Sequence, residues 1–170
     1  MIKKPVICLI IATIAILGTS ALSLSQFVPN APFKAELMAA PDFTLKDLKG
    51  KTFTLSKNSG KPILLFFGAT WCPACRTEIP AMKKIYTTYS IKGLEVVYIN
   101  IGESAKRVGR FVQSNSLPYR VLLDENEIVA DRYNIIGVPT FILVDNNSLI
   151  FSIGHRSADL PLKKLFPDEK

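Results

Sequence analysis

The alternation of apolar and polar residues predicts a β-hairpin near residue 50, followed by a buried strand. Apolar and polar residues alternate over 43–45 and again over 53–55, on either side of a polar segment that contains Gly50. This is the pattern of two short strands joined by a glycine turn. Residues 62–67 form an uninterrupted apolar run, which is typical of a central strand covered on both faces.

Helical and strand patterns alternate over the rest of the chain. From Cys75 onward, apolar residues recur at steps of three and four until Gly93, which predicts an amphipathic helix ended by a glycine. Further strands are predicted at 94–99, 119–123, 140–144 and 149–153, and further helices after Ser104, at 127–133 and at 160–166. This order, which ends in a hairpin, predicts an α/β fold with a central mixed sheet, helices on both faces and an N-terminal β-hairpin.

The first 25 residues carry the pattern of an export signal. Lys3 and Lys4 precede an apolar run over 6–17, which fades into small and polar residues by residue 25. If the run continues uncut to residue 24, it approaches the roughly 20 residues that span a bilayer, and the lysines hold the N-terminus in the cytoplasm. Cleavage at the small residues 19–21 would instead release a soluble periplasmic protein. We favour the signal anchor, and both outcomes place residues 26–170 on the extracytoplasmic (periplasmic) side.

The remaining chain divides into a tether and one domain. Residues 26–40 contain two prolines and several alanines without sustained periodicity, as expected of a tether. Residues 41–170 form the predicted domain, and the 48% of apolar residues in the chain suffice for one hydrophobic core. The formal net charge of +7 comes from scattered basic residues, so no nucleic-acid partner is predicted.

A Cys-x-x-Cys motif opens the first long helix, directly after the buried strand. Residues three apart share one face of a helix, so the sulfurs of Cys72 and Cys75 can join and separate with little backbone motion. The unpaired N–H groups and the positive dipole at the helix start favour a thiolate on Cys72. We therefore predict Cys72 as the exposed nucleophile and Cys75, one turn further in, as the more buried resolving thiol.

Two other uses of this motif are disfavoured. Half of a structural zinc site needs two more ligands, and the other candidates of the usual kind are Cys8, in the leader, and the single His155. A purely structural disulfide across so short a loop gains little chain entropy. The pattern therefore predicts neither a metal nor an organic cofactor, and His155 is interpreted as a surface histidine.

A second signal is the proline that immediately precedes the strand at 140–144. Pro139 cannot donate a hydrogen bond to the sheet at this position. Cis peptide bonds occur mainly at X-Pro bonds in tight turns such as one that leads into a strand, although an ordinary turn proline fits the sequence equally well.

These motifs together resemble the ResA/TlpA branch of the thioredoxin superfamily, over about residues 41–166. The resemblance is carried by Pro41-Asp42-Phe43, Gly50-Lys51, Gly60-Lys61-Pro62, the run from Phe66 to Pro80, Asn100-Ile101-Gly102-Glu103-Ser104 and Val138-Pro139-Thr140. It implies a thioredoxin-like fold and a membrane-tethered extracytoplasmic reductant, of which many serve cytochrome c maturation.

The resemblance also implies a substrate-binding region around the cysteines. It places a cis-proline role on Pro139, beside the disulfide, and main-chain contacts to the substrate on Val138. Trp71, Pro73 and Ala74, which flank or separate the two cysteines, are expected to complete the binding region.

One position departs from ordinary thioredoxins, which bury a carboxylate in the strand six residues before the first cysteine. That position is Phe66 here. Glu78 follows Cys75 by three residues on the same helix, where the ResA-type pattern also has a glutamate. We hypothesise that Glu78 is the acid–base group for Cys75. Glu103, which follows a strand, could be a second acid near the site or a first-turn helix charge, and we favour the helix charge.

The sequence thus predicts an enzyme that reduces protein disulfides through its own Cys72–Cys75 pair. By resemblance, its substrate is the oxidised heme-attachment pair of apocytochrome c, and a membrane protein that exports electrons recharges it. The alternatives are a disulfide-forming or isomerising oxidoreductase, a thiol peroxidase and a non-catalytic binding module. We expect a monomer.

Overall fold

The computed structural model describes residues 38–167, which contain a sheet of seven strands in the order β2-β1-β5-β4-β3-β6-β7. The strands are β1 (Thr44–Asp47), β2 (Thr52–Thr54), β3 (Ile63–Gly68), β4 (Glu95–Ile101), β5 (Arg120–Asp124), β6 (Thr140–Val144) and β7 (Ile150–Gly154). The helices are α1 (Pro73–Tyr89), α2 (Ala105–Asn115), α3 (Ile128–Arg132) and α4 (Leu162–Leu165). The predicted α/β fold with a mixed sheet is confirmed.

The predicted N-terminal hairpin is present and forms one end of the sheet. β1 pairs with β2 in antiparallel register, and its other edge pairs with β5. The turn is closed by the Asp47 carboxylate, which accepts hydrogen bonds of 2.9 Å from the N–H groups of Lys49 and Lys51. Gly50 takes a φ of 75° in this turn, a conformation that a side chain disfavours.

The register of the central strands brings three connecting segments to one edge of the sheet. β3 and β4 are parallel, with Gly68 opposite Asn100, so both strands end at this edge. β6 is antiparallel to β3, with Thr140 opposite Phe67, so β6 begins there. The Cys-x-x-Cys motif after β3, the segment after β4 and Pro139 before β6 therefore meet at one place.

Two apolar layers lie on opposite faces of the sheet, because successive side chains of a strand point to opposite sides. On β3, Leu64 and Phe66 face one layer, while Leu65 and Phe67 face the other. The first layer includes residues of three helices: Cys75, Met82, Val108 and Leu162. The second layer is covered by α3 and by residues of the hairpin region: Val129, Phe43, Phe53 and Leu55. Helices therefore cover both faces, as predicted.

The end of the chain differs from the prediction of one helix over 160–166. A single 3-10 turn at Ser157–Asp159 comes first, and α4 then covers only Leu162–Leu165. Pro161 precedes α4 and lacks the N–H that a continuous helix would need, which explains the short element.

The N-terminal predictions fall mostly outside the described residues. The signal segment 1–25 lies there entirely. Of the predicted tether, residues 38–40 are described, and Met38 and Ala40 hydrogen-bond to the backbone of Ile150 and Ser148 beside β7. Within residues 38–167, no helix combines the length and apolar character needed to cross a membrane.

Candidate active site

The two cysteines lie at the N-terminus of α1, where the strand β3 turns into the helix. Cys72 is the N-cap residue with extended backbone angles, and the N–H of Cys75 donates to its sulfur at 3.0 Å. The sulfurs form a disulfide across Cα atoms 5.3 Å apart. A helix N-terminus offers unpaired N–H groups and a positive dipole, so the same N–H contact would stabilise a thiolate on Cys72 after reduction.

Both sulfurs are covered in this oxidised state. Cys72 is 3% exposed and Cys75 is 1% exposed, so the prediction of an exposed Cys72 is wrong here. The cause is the segment before β6, because the carbonyl oxygen of Val138 lies 3.6 Å from the Cys72 sulfur. The sequence could not show this cover, since it comes from a loop 66 residues away.

The bond between Val138 and Pro139 is cis, as the resemblance implied. Pro139 itself is buried, whereas Trp71, Pro73 and Ala74 are all exposed around the covered sulfurs. The structure therefore brings together the five residues that the sequence assigned to substrate binding, at one edge of the sheet.

Glu78 lies one helical turn beyond Cys75 on α1 and is half-buried. Its carboxylate accepts a hydrogen bond from the N–H of Ser157 at 3.1 Å and a second from the Ser157 hydroxyl. These bonds fix the carboxylate between α1 and the 3-10 turn that follows β7. Its role as an acid–base group for Cys75 remains a hypothesis.

Glu103 is buried and holds the segment that leads into the cysteines. Its carboxylate accepts from the N–H of Thr70 at 2.6 Å, from the Thr70 hydroxyl at 2.5 Å and from the Asn100 side chain at 2.9 Å. Arg107, one turn into α2, forms an ion pair with it at 2.7 Å. Burial raises the pKa of Glu103, but the hydrogen bonds of Thr70 and Asn100 and the Arg107 charge outweigh burial and hold that pKa below its ordinary value of 4.5.

The interpretation of Glu103 as a plain first-turn helix charge is therefore wrong. Its contact with Thr70 was not predicted, because Thr70 precedes it by 33 positions and only the register of β3 with β4 brings them together. The available signal was the polar pair Asn100 and Glu103 directly after an apolar strand, since polar residues at strand ends often serve a site.

The AhpC/TSA family model matches residues 38–152. The thiol-disulfide oxidoreductase ResA of Geobacillus kaustophilus is 37% identical over 114 residues, which cover 67% of this chain and 66% of that protein. The thioredoxin-like protein YneN of Bacillus subtilis is 41% identical over 117 residues, 67% of this chain and 68% of its own.

A longer match decides the family. ResA of Bacillus thuringiensis subsp. konkukian is 30% identical over 151 residues, 88% of this chain and 87% of that protein. The chain belongs to the ResA-type thiol-disulfide oxidoreductases of the thioredoxin superfamily. Members of this superfamily work through a disulfide of their own cysteines and need no organic cofactor, which agrees with the Cys72–Cys75 bond.

Solved structures of the superfamily share this fold. A thiol:disulfide interchange protein from Bacteroides sp. superposes with a TM-score of 0.71 at 26% identity, covering 79% of this chain and 92% of its own. The thioredoxin domain of a Bacteroides vulgatus thiol-disulfide oxidoreductase gives 0.68 at 27% identity, covering 74% and 92%. Among residues 38–167, no group of three or more His, Cys, Asp or Glu side chains is placed to hold a metal ion.

Replacing Glu103 with Gln is expected to lower the free energy of unfolding by about 1–3 kcal/mol at pH 7. The two carboxylate oxygens accept hydrogen bonds from several donors, and the single oxygen of an amide cannot accept all of them. The folded-state pKa is depressed, so the ionised carboxylate stabilises the fold fully above its unfolded pKa, and this contribution is lost as the pH falls through the lower folded value. Urea unfolding at pH 7 and at acidic pH measures the difference. An unchanged difference between the two proteins at low pH would contradict this account.

His155 is a second residue whose contacts were missed. It is exposed, as expected of a surface histidine, but its Nδ1 lies 3.0 Å from the carbonyl oxygen of Pro139 and 3.3 Å from the Thr140 hydroxyl. A carbonyl only accepts, so Nδ1 carries the hydrogen and donates. The imidazole therefore binds the backbone of the cis-proline segment where the β6–β7 pairing ends at Gly154. The feature of the sequence that could have indicated this contact was a single histidine directly after a strand.

We expect His155→Ala to lower kcat/KM for a protein disulfide by about fivefold, the size of one lost hydrogen bond. The effect should fall mainly on KM if the Pro139 segment receives the substrate chain, as the family resemblance implies. His155→Asn places an amide nitrogen at the position of Nδ1 and should retain most of the activity. Steady-state kinetics of the two variants check this; equal losses in both would show that the hydrogen bond is not what matters.

Proposed function

We propose that the protein reduces disulfide bonds in protein substrates by dithiol–disulfide exchange. The observation that carries the proposal is the Cys72–Cys75 pair at the N-terminus of α1, with Val138 against the Cys72 sulfur. The N–H of Cys75 at 3.0 Å favours a thiolate on Cys72 rather than on Cys75. The names of the ResA relatives support the same class of reaction.

The reaction starts from the reduced pair. The Cys72 thiolate attacks one sulfur of the substrate disulfide, so a mixed disulfide forms and the other substrate sulfur leaves as a thiolate. Cys75 loses its proton to the Glu78 carboxylate and attacks the Cys72 sulfur. The second substrate sulfur leaves, and the Cys72–Cys75 disulfide forms. Two electrons pass from the dithiol to the substrate, and no other reactant is needed.

Substrate, reductant and location complete the proposal. The substrate is the oxidised heme-attachment pair of apocytochrome c, and a membrane protein that exports electrons returns the pair to the dithiol state. The domain acts on the extracytoplasmic side, held by residues 1–25 as a signal anchor, or free in the periplasm if this segment is cleaved. The proposed location is supported by the basic and apolar pattern of residues 1–25.

The direct test uses the reduced full-length protein and an apocytochrome c with its heme-attachment cysteines oxidised. Alkylation and mass spectrometry count the free thiols on each partner with time. We expect the substrate to gain two thiols while Cys72 and Cys75 lose theirs. If the oxidised protein instead oxidises the reduced substrate faster than the reverse reaction proceeds, the reductase proposal fails and a disulfide-forming enzyme replaces it.

A further inference from the structure

A groove begins at the point where the cis-proline segment covers the nucleophile. Val138, whose carbonyl contacts the Cys72 sulfur, is one of the residues that line a groove of about 330 Å³. Two large apolar side chains stand exposed on its walls, with Trp71 60% exposed and Ile136 90% exposed. The lining also includes buried or half-buried apolar residues: Ala69, Ile101, Ala130 and Ile135. Such exposed apolar surface beside a reactive group is typical of a site that another molecule covers.

Two carboxylates stand at the same groove without a counter-charge. Glu127 and Asp131 both line it, as the N-cap residue and the fourth residue of α3. Within residues 38–167, neither side chain takes part in an ion pair or a side-chain hydrogen bond. The Glu127 carboxylate lies beside Gly102, whose φ of 68° is a conformation that a side chain disfavours.

Among the residues that the structure describes, no lysine, arginine or histidine lines this groove. Arg107 is paired with Glu103 at 2.7 Å, and Arg76 donates to the carbonyl oxygen of Trp71 at 3.5 Å. Arg132, next to Asp131 in sequence, donates to the carbonyl oxygen of Asp42 instead. The uncompensated charge of the groove is therefore negative, which favours a cationic partner.

We propose that this groove selects substrates in which the target cysteine is followed by an apolar residue and then by a lysine or arginine. The apolar residue packs between Trp71 and Ile136, and the cation meets Glu127 and Asp131. An extended polypeptide fits the observations, because Val138 lines the groove and its main-chain oxygen lies 3.6 Å from the Cys72 sulfur. This inference rests on the proposed reductase function and names the substrate class of the same site.

The test uses synthetic peptides with one intramolecular disulfide. Three peptides share the sequence Cys-Leu-X after the attacked cysteine, with X as Lys, Gln or Glu, and the reduced full-length protein is recycled by dithiothreitol. We expect kcat/KM to fall in the order Lys, Gln, Glu. The kcat/KM for the Lys peptide should exceed that for the Glu peptide by roughly fivefold at low salt, since each rim charge contributes modestly. This ratio should shrink at high salt.

Variants assign the preference to the groove. Glu127→Gln combined with Asp131→Asn should bring the ratio of Lys to Glu peptide close to one. Ile136→Ser should raise KM for all three peptides. The control is Glu95→Gln, which removes one negative charge at the start of β4, the end of this strand away from the disulfide, and should preserve the ratio.

Two results are decisive against the inference. Equal kcat/KM for the three peptides, or a preference for Lys that survives the double substitution, would overturn the groove assignment while leaving the reductase function intact. Failure of the unaltered protein to reduce any peptide or protein disulfide would overturn the proposed function, and the inference with it.

Discussion

We expect Cys75→Ser to stop the reaction halfway, with the substrate held in a mixed disulfide on Cys72. Cys75 is the thiol that releases the substrate, and its backbone N–H at 3.0 Å from the Cys72 sulfur is retained in the variant. The first attack therefore proceeds, but the second cannot. Cys72→Ser should form no adduct, and turnover should fall by roughly a thousandfold or more, as follows the loss of a covalent nucleophile.

Non-reducing electrophoresis and mass spectrometry identify the adduct. The experiment is best done with Cys8→Ser as the background, because the sequence assigns Cys8 to the leader and gives it no role in exchange. This background alone should keep full activity. An adduct formed through Cys75 in the Cys72→Ser variant would reverse the assignment of the two thiols. Peroxide reduction that persists without Cys75 would instead point to a thiol peroxidase.

The second large effect is expected for Glu78→Gln. A positioned acid–base group contributes typically 10²-fold or more, so the release of substrate from the mixed disulfide should slow by roughly 100-fold. The attack by Cys72 should change much less. Single-turnover kinetics, followed by the decay of the mixed disulfide after rapid mixing, separate the two steps.

Two companion variants sharpen the test of Glu78. Ser157→Ala removes the hydroxyl that holds the carboxylate but leaves the N–H of residue 157, so an intermediate loss is expected. Glu95→Gln, on the far end of β4, should have no effect on either step. If Glu78→Gln released its substrate at the normal rate, the proton of Cys75 would have another acceptor, and the hypothesis would be abandoned.

The features predicted well from the sequence are those set by local patterns. The hairpin around Gly50, the buried strand β3 and the helix α1 each follow from periodicity and turn chemistry within a dozen or so residues. The juxtaposition of Pro139 with the cysteines followed from the family resemblance, and the sheet register explains it: β3 ends where β6 begins.

The features that were missed depend on contacts between distant segments. The burial of Cys72 is caused by Val138, and the function of Glu103 in holding Thr70 requires the parallel pairing of β3 with β4. His155 reaches Pro139 only because β7 runs beside β6. No periodicity carries such information, because each partner is an isolated residue at the end of a strand.

The reduction potential of the Cys72–Cys75 couple tests the central claim most directly, because it sets the direction of exchange. The full-length protein with Cys8→Ser is equilibrated against thiol buffers of known potential, and the fraction oxidised is counted after alkylation. A potential near or below about −230 mV, towards the thioredoxin end of the scale, is the result that a reductase predicts. A potential near about −120 mV, where strong disulfide oxidants lie, would contradict it and identify a disulfide-forming enzyme.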